Sequence, residues 1–240
     1  MIFDVIGNSS IGAGEKVIIL FSFLLAISLA IVCHEVAHGY AAYLNGDLTA
    51  KFSGRLTLNP FKHFDPIGFV MLATVGFGWA KPVPVDPRNF KNYKKGMVMV
   101  SLAGVVTNLL LATVFAMLLA IVQLILKATI DTVVTVGFLV YLFKFLQYFC
   151  IYSITINLTL MAFNILPIYP LDGFRLVETL AKPDNKYVVF MRRYGMLVLL
   201  ALLVGGSLLG MINPYLDLLG TYIRWIQNGV IHIFSKIFGI

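Results

Sequence analysis

The run VIILFSFLLAISLAIVCHEVAHGYAAY, from Val17 to Tyr43, decides what kind of molecule this is. An α-helix needs about 20 apolar residues to cross a hydrocarbon layer of about 30 Å. This run exceeds that length and carries no charge outside His34-Glu35-Val36-Ala37-His38. An ionisable residue in the middle of a span costs at least about 2.5–3.5 kcal/mol, which points to function before packing. Positions i and i+4 of a helix share one face. His34 and His38 can therefore present both imidazoles to one Zn²⁺, and the intervening Glu35 can reach a water beside it.

The rest of the chain agrees that lipid is the solvent. Of its 240 residues, 60% are hydrophobic and 12% charged, and its mean hydropathy is +0.91. Soluble domains carry roughly a quarter charged residues, so a soluble enzyme, a disordered chain and a coiled coil are excluded. Further apolar runs extend from about Gly96 to Ile125, from Thr132 to Leu166 and from about Tyr194 to Ile212. The Thr132–Leu166 run contains Lys144 and Gln147 and fits one tilted span or two shorter pieces. From Asn213 onward, Arg224 and Lys236 stand among Trp225, Ile226, Ile231, Ile233 and Phe234, a pattern open to an interfacial amphipathic helix or one more span. The expectation is an α-helical polytopic membrane protein with about four to six transmembrane helices. It forms one membrane-embedded domain over 1–240, with a core at 17–193 and an added span and C-terminal segment at 194–240. The first sixteen residues lack a positive n-region and do not read as a cleavable signal peptide. Cys33 and Cys150 lie inside apolar runs, so a disulfide framework is not expected.

Between the first two spans the chain changes character. Gly54-Arg55-Leu56-Thr57-Leu58-Asn59-Pro60 alternates like a short strand ending in a turn. Pro66 to Ala80 is apolar but too short to cross untilted, and reads as a re-entrant, membrane-dipping segment that protein must cover. A Pro-rich loop follows, Lys81-Pro82-Val83-Pro84-Val85-Asp86-Pro87. Thirteen of the eighteen Lys and Arg residues fall in loops 43–65, 81–95 and 172–193. Placed in the cytoplasm, these loops let the spans alternate with the N-terminus outside. Orientation thus accounts for the net charge of +7, and no motif supports nucleic acid as a partner.

Two histidines leave zinc short, because a catalytic site has three protein ligands plus water. His63, in a basic loop, and His232, in the C-terminal stretch, read as solvated and interfacial histidines. Cys33 points about 100° away from His34 around the helix. Asp172 is better placed. Asn164-Ile165-Leu166-Pro167-Ile168-Tyr169-Pro170-Leu171-Asp172-Gly173 closes the third apolar run, where prolines stop the helix. His34 and His38 lie roughly 8–14 Å from the cytoplasmic end of their span, and Asp172 emerges on that same side. An Asp before Gly is otherwise a turn residue or the N-cap of the next helix.

The pairing of H-E-x-x-H in the first span with N-x-x-P-x-x-x-L-D-G after a later one resembles the site-2 protease family of intramembrane zinc metalloproteases, peptidase family M50. Gly54 to Pro60 with Asp65-Pro66-Ile67-Gly68, and Gly78-Trp79-Ala80-Lys81-Pro82-Val83-Pro84-Val85, look like its compact prokaryotic members. The likeness covers roughly 17 to 193. It implies that His34, His38 and Asp172 bind one zinc ion per chain and that Glu35 is the catalytic acid/base. It places Asn164 and Pro170 near the substrate. Ser101 to Asn108 resembles the family's A-G-P-x-x-N stretch with Val105 in place of the proline, so Asn108 reads either as a substrate contact or as an interhelical hydrogen bond. No PDZ or CBS module is expected.

Peptide hydrolysis by this set would use zinc-activated water, with Glu35 moving the proton. Asn164 is open to two readings, an oxyanion donor or a helix C-cap amide. A transmembrane substrate must unwind before attack, and the segment from Ala50 to Val85 either offers an edge strand to it or is a plain connection. The implied setting is a prokaryotic cell membrane, with the site nearer the cytoplasmic face. Two alternatives remain. An inactive family-like binding protein would commonly lose the glutamate or a ligand. An ion transporter would spread ionisable groups through several spans, whereas Lys144 stands alone in the third.

Overall fold

The computed structural model describes residues 7, 10–68, 78 and 80–240. The helices are α1 (Ala13–Leu44), the single turn α2 (Thr49–Phe52), α3 (Tyr93–Thr135), α4 (Gly137–Asn164), α5 (Asp172–Leu180), α6 (Lys186–Leu200), α7 (Gly206–Ile212) and α8 (Leu218–Phe238). A π-helical turn at Ala201–Gly205 joins α6 to α7. Among the described residues four helical stretches are long and apolar enough to cross a membrane: Ala13–Leu44, Tyr93–Thr129, Gly137–Asn164 and Lys186–Ile212. The third apolar run is therefore one helix, begun where α3 ends. α8 reaches 21 residues but carries Arg224, Gln227, Asn228, His232 and Lys236, and is not among the four.

In lipid, helices associate through close packing of small residues and interhelical hydrogen bonds, because the surrounding tails are as apolar as leucine. The burial pattern follows that rule. Ala26, Ala30, Ala112, Ala116 and Ala162 are fully buried, while Leu110, Leu124, Phe138 and Leu197 are exposed. α1, α3 and α4 form the bundle, and Ala112, Phe115, Ala116, Leu119, Cys150, Ile154 and Leu158 make one core cluster. Phe234 of α8 completes it, and Gln227 donates to Thr159 Oγ1 at 2.7 Å and to the Thr155 carbonyl at 3.1 Å. Lys144 does not stand alone. Its Nζ lies 2.7 Å from Glu15 Oε2 on α1, and Tyr148 donates to Glu15 Oε1 at 2.8 Å.

Among its described residues the connection from α1 to α3 is braced by side chains rather than by a sheet. Residues 54–60 form turns, and the only β-type pairing among the described residues is a single antiparallel bridge between Phe64 and Ala80. Most of the expected re-entrant segment, 69–77 and 79, lies outside the described residues. Gly46 ends α1 at φ 106°, a left-handed conformation that favours glycine. Next to it the buried Asp47 accepts from the Thr49 amide at 3.0 Å, Asn89 Nδ2 at 2.9 Å and the Asp86 amide at 2.7 Å. One carboxylate thus ties the end of α1 to the entry of α3.

Burial pushes the Asp47 carboxyl up, but the Thr49, Asn89 and Asp86 donors outweigh it and hold it below the usual carboxylate range. Its stabilising contribution is present above the unfolded-state value of about 3.9 and is lost as pH falls through the folded one. Asp47→Asn sets an amide against the Asp86 N–H and is expected to destabilise the protein by about 1–3 kcal/mol at pH 7. Thermal unfolding in detergent checks this, and the gap between variant and parent narrows as pH drops below the Asp range.

Candidate metal centre

Two helices and one connection build the site. His34 and His38 lie on the inner face of α1, both buried. α3 approaches so closely that a Cβ on Gly104 would sit 2.4 Å from His34 Cε1, so the imidazole occupies the place of a side chain. Asp172 arrives at the start of α5 from the turn that follows α4. There a Cβ on Gly173 would meet the Ile165 carbonyl oxygen at 2.1 Å, so only glycine lets the chain fold back against the end of α4. Tyr187 hydroxyl donates to the Pro167 carbonyl, fastening the same turn to α6.

Backbone carbonyls fix the protons. A carbonyl only accepts, so His38 Nδ1, 2.8 Å from the Val100 carbonyl, carries its ring's proton. Asn157 Nδ2 donates to the Ser153 carbonyl at 2.8 Å, which turns Asn157 Oδ1 toward Asn108 Nδ2 at 2.7 Å. That turns Asn108 Oδ1 toward His34 Nδ1 at 2.5 Å, so this nitrogen is also the donor. Asn108 and Asn157 are both fully buried.

Each neutral imidazole is left with a bare lone pair on Nε2, and these lone pairs face one another. The Nε2 atoms are 3.0 Å apart, and Asp172 Oδ2 lies 3.3 Å from His34 Nε2 and 3.1 Å from His38 Nε2. The buried Asp172 Oδ2 has no hydrogen-bond donor among the described residues. Three electron-rich atoms in a buried triangle repel unless a cation sits among them. A tetrahedral zinc with bonds of 2.0–2.1 Å separates its ligand atoms by about 3.3 Å, close to the edges of this triangle. The donor set fits zinc, with His34, His38 and Asp172 as the residues that could hold it.

Glu35 is half-buried on α1, and its Oε2 accepts from the Val83 amide at 2.8 Å. Asn108 has both amide atoms engaged by His34 and Asn157. Asn164 ends α4, where its Nδ2 donates to the Leu160 carbonyl at 3.0 Å. Pro170, half-buried, follows a cis peptide bond after Tyr169. Neither Asn164 nor Pro170 hydrogen-bonds to the three clustered side chains. His63 is fully buried, with Nε2 2.8 Å from the Thr57 carbonyl, which corrects its reading as a solvated histidine. His232 is exposed. The residues missed by the sequence reading are Gly104 and Asn157. For Gly104 the signal was its place one turn before Asn108, and for Asn157 an amide in the middle of an apolar span.

The family model described as Peptidase family M50 matches residues 22–204. A Bacillus subtilis protein named "Putative zinc metalloprotease YwhC" is 37% identical over 224 residues, 90% of this chain and 91% of that protein. "Putative zinc metalloprotease Rip2" of Mycobacterium tuberculosis, strain Erdman, is 28% identical over 226 residues, 90% of this chain and 80% of its own. No solved structure matches the chain.

Asn108→Ala releases His34 Nδ1 and should weaken zinc binding by about 10- to 100-fold, the usual effect of losing the partner of a ligating histidine. Competition with a calibrated chelator reads this directly, and an unchanged affinity would remove the orienting role. Gly104→Ala should weaken binding further, because it displaces the ring itself.

Proposed function

This chain belongs to peptidase family M50, and from that premise we propose that it hydrolyses peptide bonds in or near transmembrane segments of membrane proteins, with Glu35 as the acid/base. The observation that carries the reading is the triangle of His34 Nε2, His38 Nε2 and Asp172 Oδ2, with all edges within 3.3 Å and a glutamate one residue from the first ligand. The enzyme is a zinc metalloendopeptidase, and its relatives' names carry the same metal.

His34, His38 and Asp172 would hold the zinc ion, which would supply Lewis acidity toward water and the scissile carbonyl. Glu35 takes the proton of the attacking water and returns it to the leaving amine. Its Oε2 is held by the Val83 amide, and Oε1 has no partner among the described residues, so it is the oxygen free to face water. Asn108, which meets His34 through Oδ1 and Asn157 through Nδ2, orients His34. Asn164 and Pro170 lie on the turn that carries Asp172, and we assign them to the substrate side of the site. With one hydrogen of Asn164 on the Leu160 carbonyl, the second is available to an oxyanion.

The setting follows from the spans. α1 places His38 six residues, or about 9 Å, before its end at Leu44. The loops at that end carry Lys51, Lys62, Lys81, Arg88, Lys91, Lys94 and Lys95. Basic loops stay in the cytoplasm, so the N-terminus lies outside and the site near the cytoplasmic face of a prokaryotic membrane. The chain acts as one membrane-embedded domain, with 17–193 carrying the chemistry and 194–240 supporting it through α8.

Glu35→Gln is expected to abolish cleavage of a membrane-protein substrate while keeping zinc. His34→Ala and Asp172→Asn should lose both. Metal analysis of purified variants beside a cleavage assay separates these outcomes, and zinc fully retained in the latter two would sink the ligand assignment. Asn164→Ala should lower kcat more than it alters KM, and unchanged turnover would leave that residue only its helix-end role.

A further inference from the structure

We propose that Arg55 is a positioning residue for Glu35, acting through the backbone of Lys81 and Val83; this rests on the hydrolase reading above. Arg55 is only 7% exposed, although it is a cation. Among the described residues no carboxylate pairs with it, and its Nε has no partner. Burying a guanidinium without a counter-ion is costly, so the position calls for an explanation beyond loop packing. Among the described residues its side chain makes one hydrogen bond. An Nη atom donates to the Lys81 carbonyl at 2.6 Å.

Lys81 is held at its other polar atom as well, since its amide donates to the His63 carbonyl at 2.8 Å. His63 is fully buried and tied to the Thr57 carbonyl. The next amide along the chain belongs to Val83, because Pro82 has none, and that amide donates to Glu35 Oε2 at 2.8 Å. The side chains fit the same contact. A Cβ on Gly39, one turn beyond Glu35 on α1, would meet both Leu56 Cδ2 and Val83 Cγ1 at 2.8 Å. The neighbour of Arg55 and the residue on Glu35 therefore rest side by side on a bare patch of the catalytic helix.

The consequence is geometric. With Oε2 fixed by a main-chain N–H, the carboxylate cannot rotate freely, and Oε1 is held out toward water. An amide donated to a carboxylate is one of the stronger hydrogen bonds, but it orients the acid only if the amide itself is immobile. Arg55 and His63 supply that immobility from the far side of the segment.

The test uses the full-length protein in detergent, with Arg55→Ala, Arg55→Lys, Val83→Pro and the Arg55→Ala/Val83→Pro pair. Val83 lies between two prolines, where extended backbone is already imposed, so proline there removes the N–H with little change of path. Arg55→Ala and Val83→Pro should each lower kcat by about 10- to 100-fold, the effect of losing one hydrogen bond to a charged group. KM and zinc content should stay near the parent's. Arg55→Lys restores a donor and should recover most of the rate. The double variant should cost little more than Val83→Pro alone, because both changes break one chain of contacts. Additive losses, loss of zinc in Arg55→Ala, or an unchanged kcat would each overturn the proposal. Hydrogen exchange of a peptide spanning residues 80–86 gives a readout independent of turnover. Arg55→Ala should speed exchange there by about tenfold or more as the Val83 amide is released, and unchanged exchange would overturn the link. If the parent shows no cleavage that Glu35→Gln removes, the hydrolase reading fails by itself, while exchange still decides whether Arg55 holds Val83 on Glu35.

Discussion

A carbonyl oxygen cannot donate a hydrogen bond, and the site depends on that constraint. The Val100 carbonyl settles the proton of His38. The Ser153 carbonyl settles that of His34 through two asparagines. Once both Nδ1 atoms are donors, both Nε2 atoms must be bare, and α1 holds them 3.0 Å apart. The fold drives electron pairs together and adds a carboxylate to the same corner. Such an arrangement is tolerable in a low-dielectric interior when a cation neutralises it, so a metal held there would be part of what lets these helices pack.

The relay also explains features of the bundle that apolar packing does not. Asn108 and Asn157 would be poor choices in a membrane core if they were only filling space. Interhelical hydrogen bonds in lipid are worth about 1 kcal/mol on average, too little to justify two buried amides as glue. As the links that carry a proton's position from a carbonyl on α4 to an imidazole on α1, both are required. Gly104 belongs to the same design, because the ring reaches Asn108 only where α3 carries no side chain. The polar connection between α1 and α3 has a matching role on the glutamate side, where Asp47 anchors its ends and Val83 meets the acid.

Much of this was legible in the chain. The spans could be read because lipid demands long apolar runs, and the pairing of His34 with His38 because H-E-x-x-H fixes two positions on one helical face. Asp172 was readable because Pro167, Pro170 and Gly173 mark where a helix stops and turns. What stayed hidden depends on partners far away in sequence. His63 looked like an ordinary loop histidine because nothing local says that residues 55–57 and 81 fold over it. Lys144 looked solitary because Glu15 lies 129 residues earlier. The alternation at 54–60 suggested a strand, but glycine at 54 and proline at 60 break the ladder, and the segment is held by Arg55 and His63 instead.

The contrast between the two halves of the site follows from what each must do. Metal ligands need to be rigid, and they sit on helices whose backbone is satisfied internally, held by partners inside the bundle. In the role proposed for it Glu35 would meet water and a peptide, and its partner is a main-chain amide on an irregular connection. Irregular backbone packed against a bundle needs its buried polar groups satisfied by protein. That need accounts for Arg55 and His63, whose bonds go to carbonyl and amide groups of the connection and not to each other. Polar residues buried beneath the loop are thus a condition for placing an irregular connection beside the cluster of His34, His38 and Asp172, and the glutamate stands where the two meet.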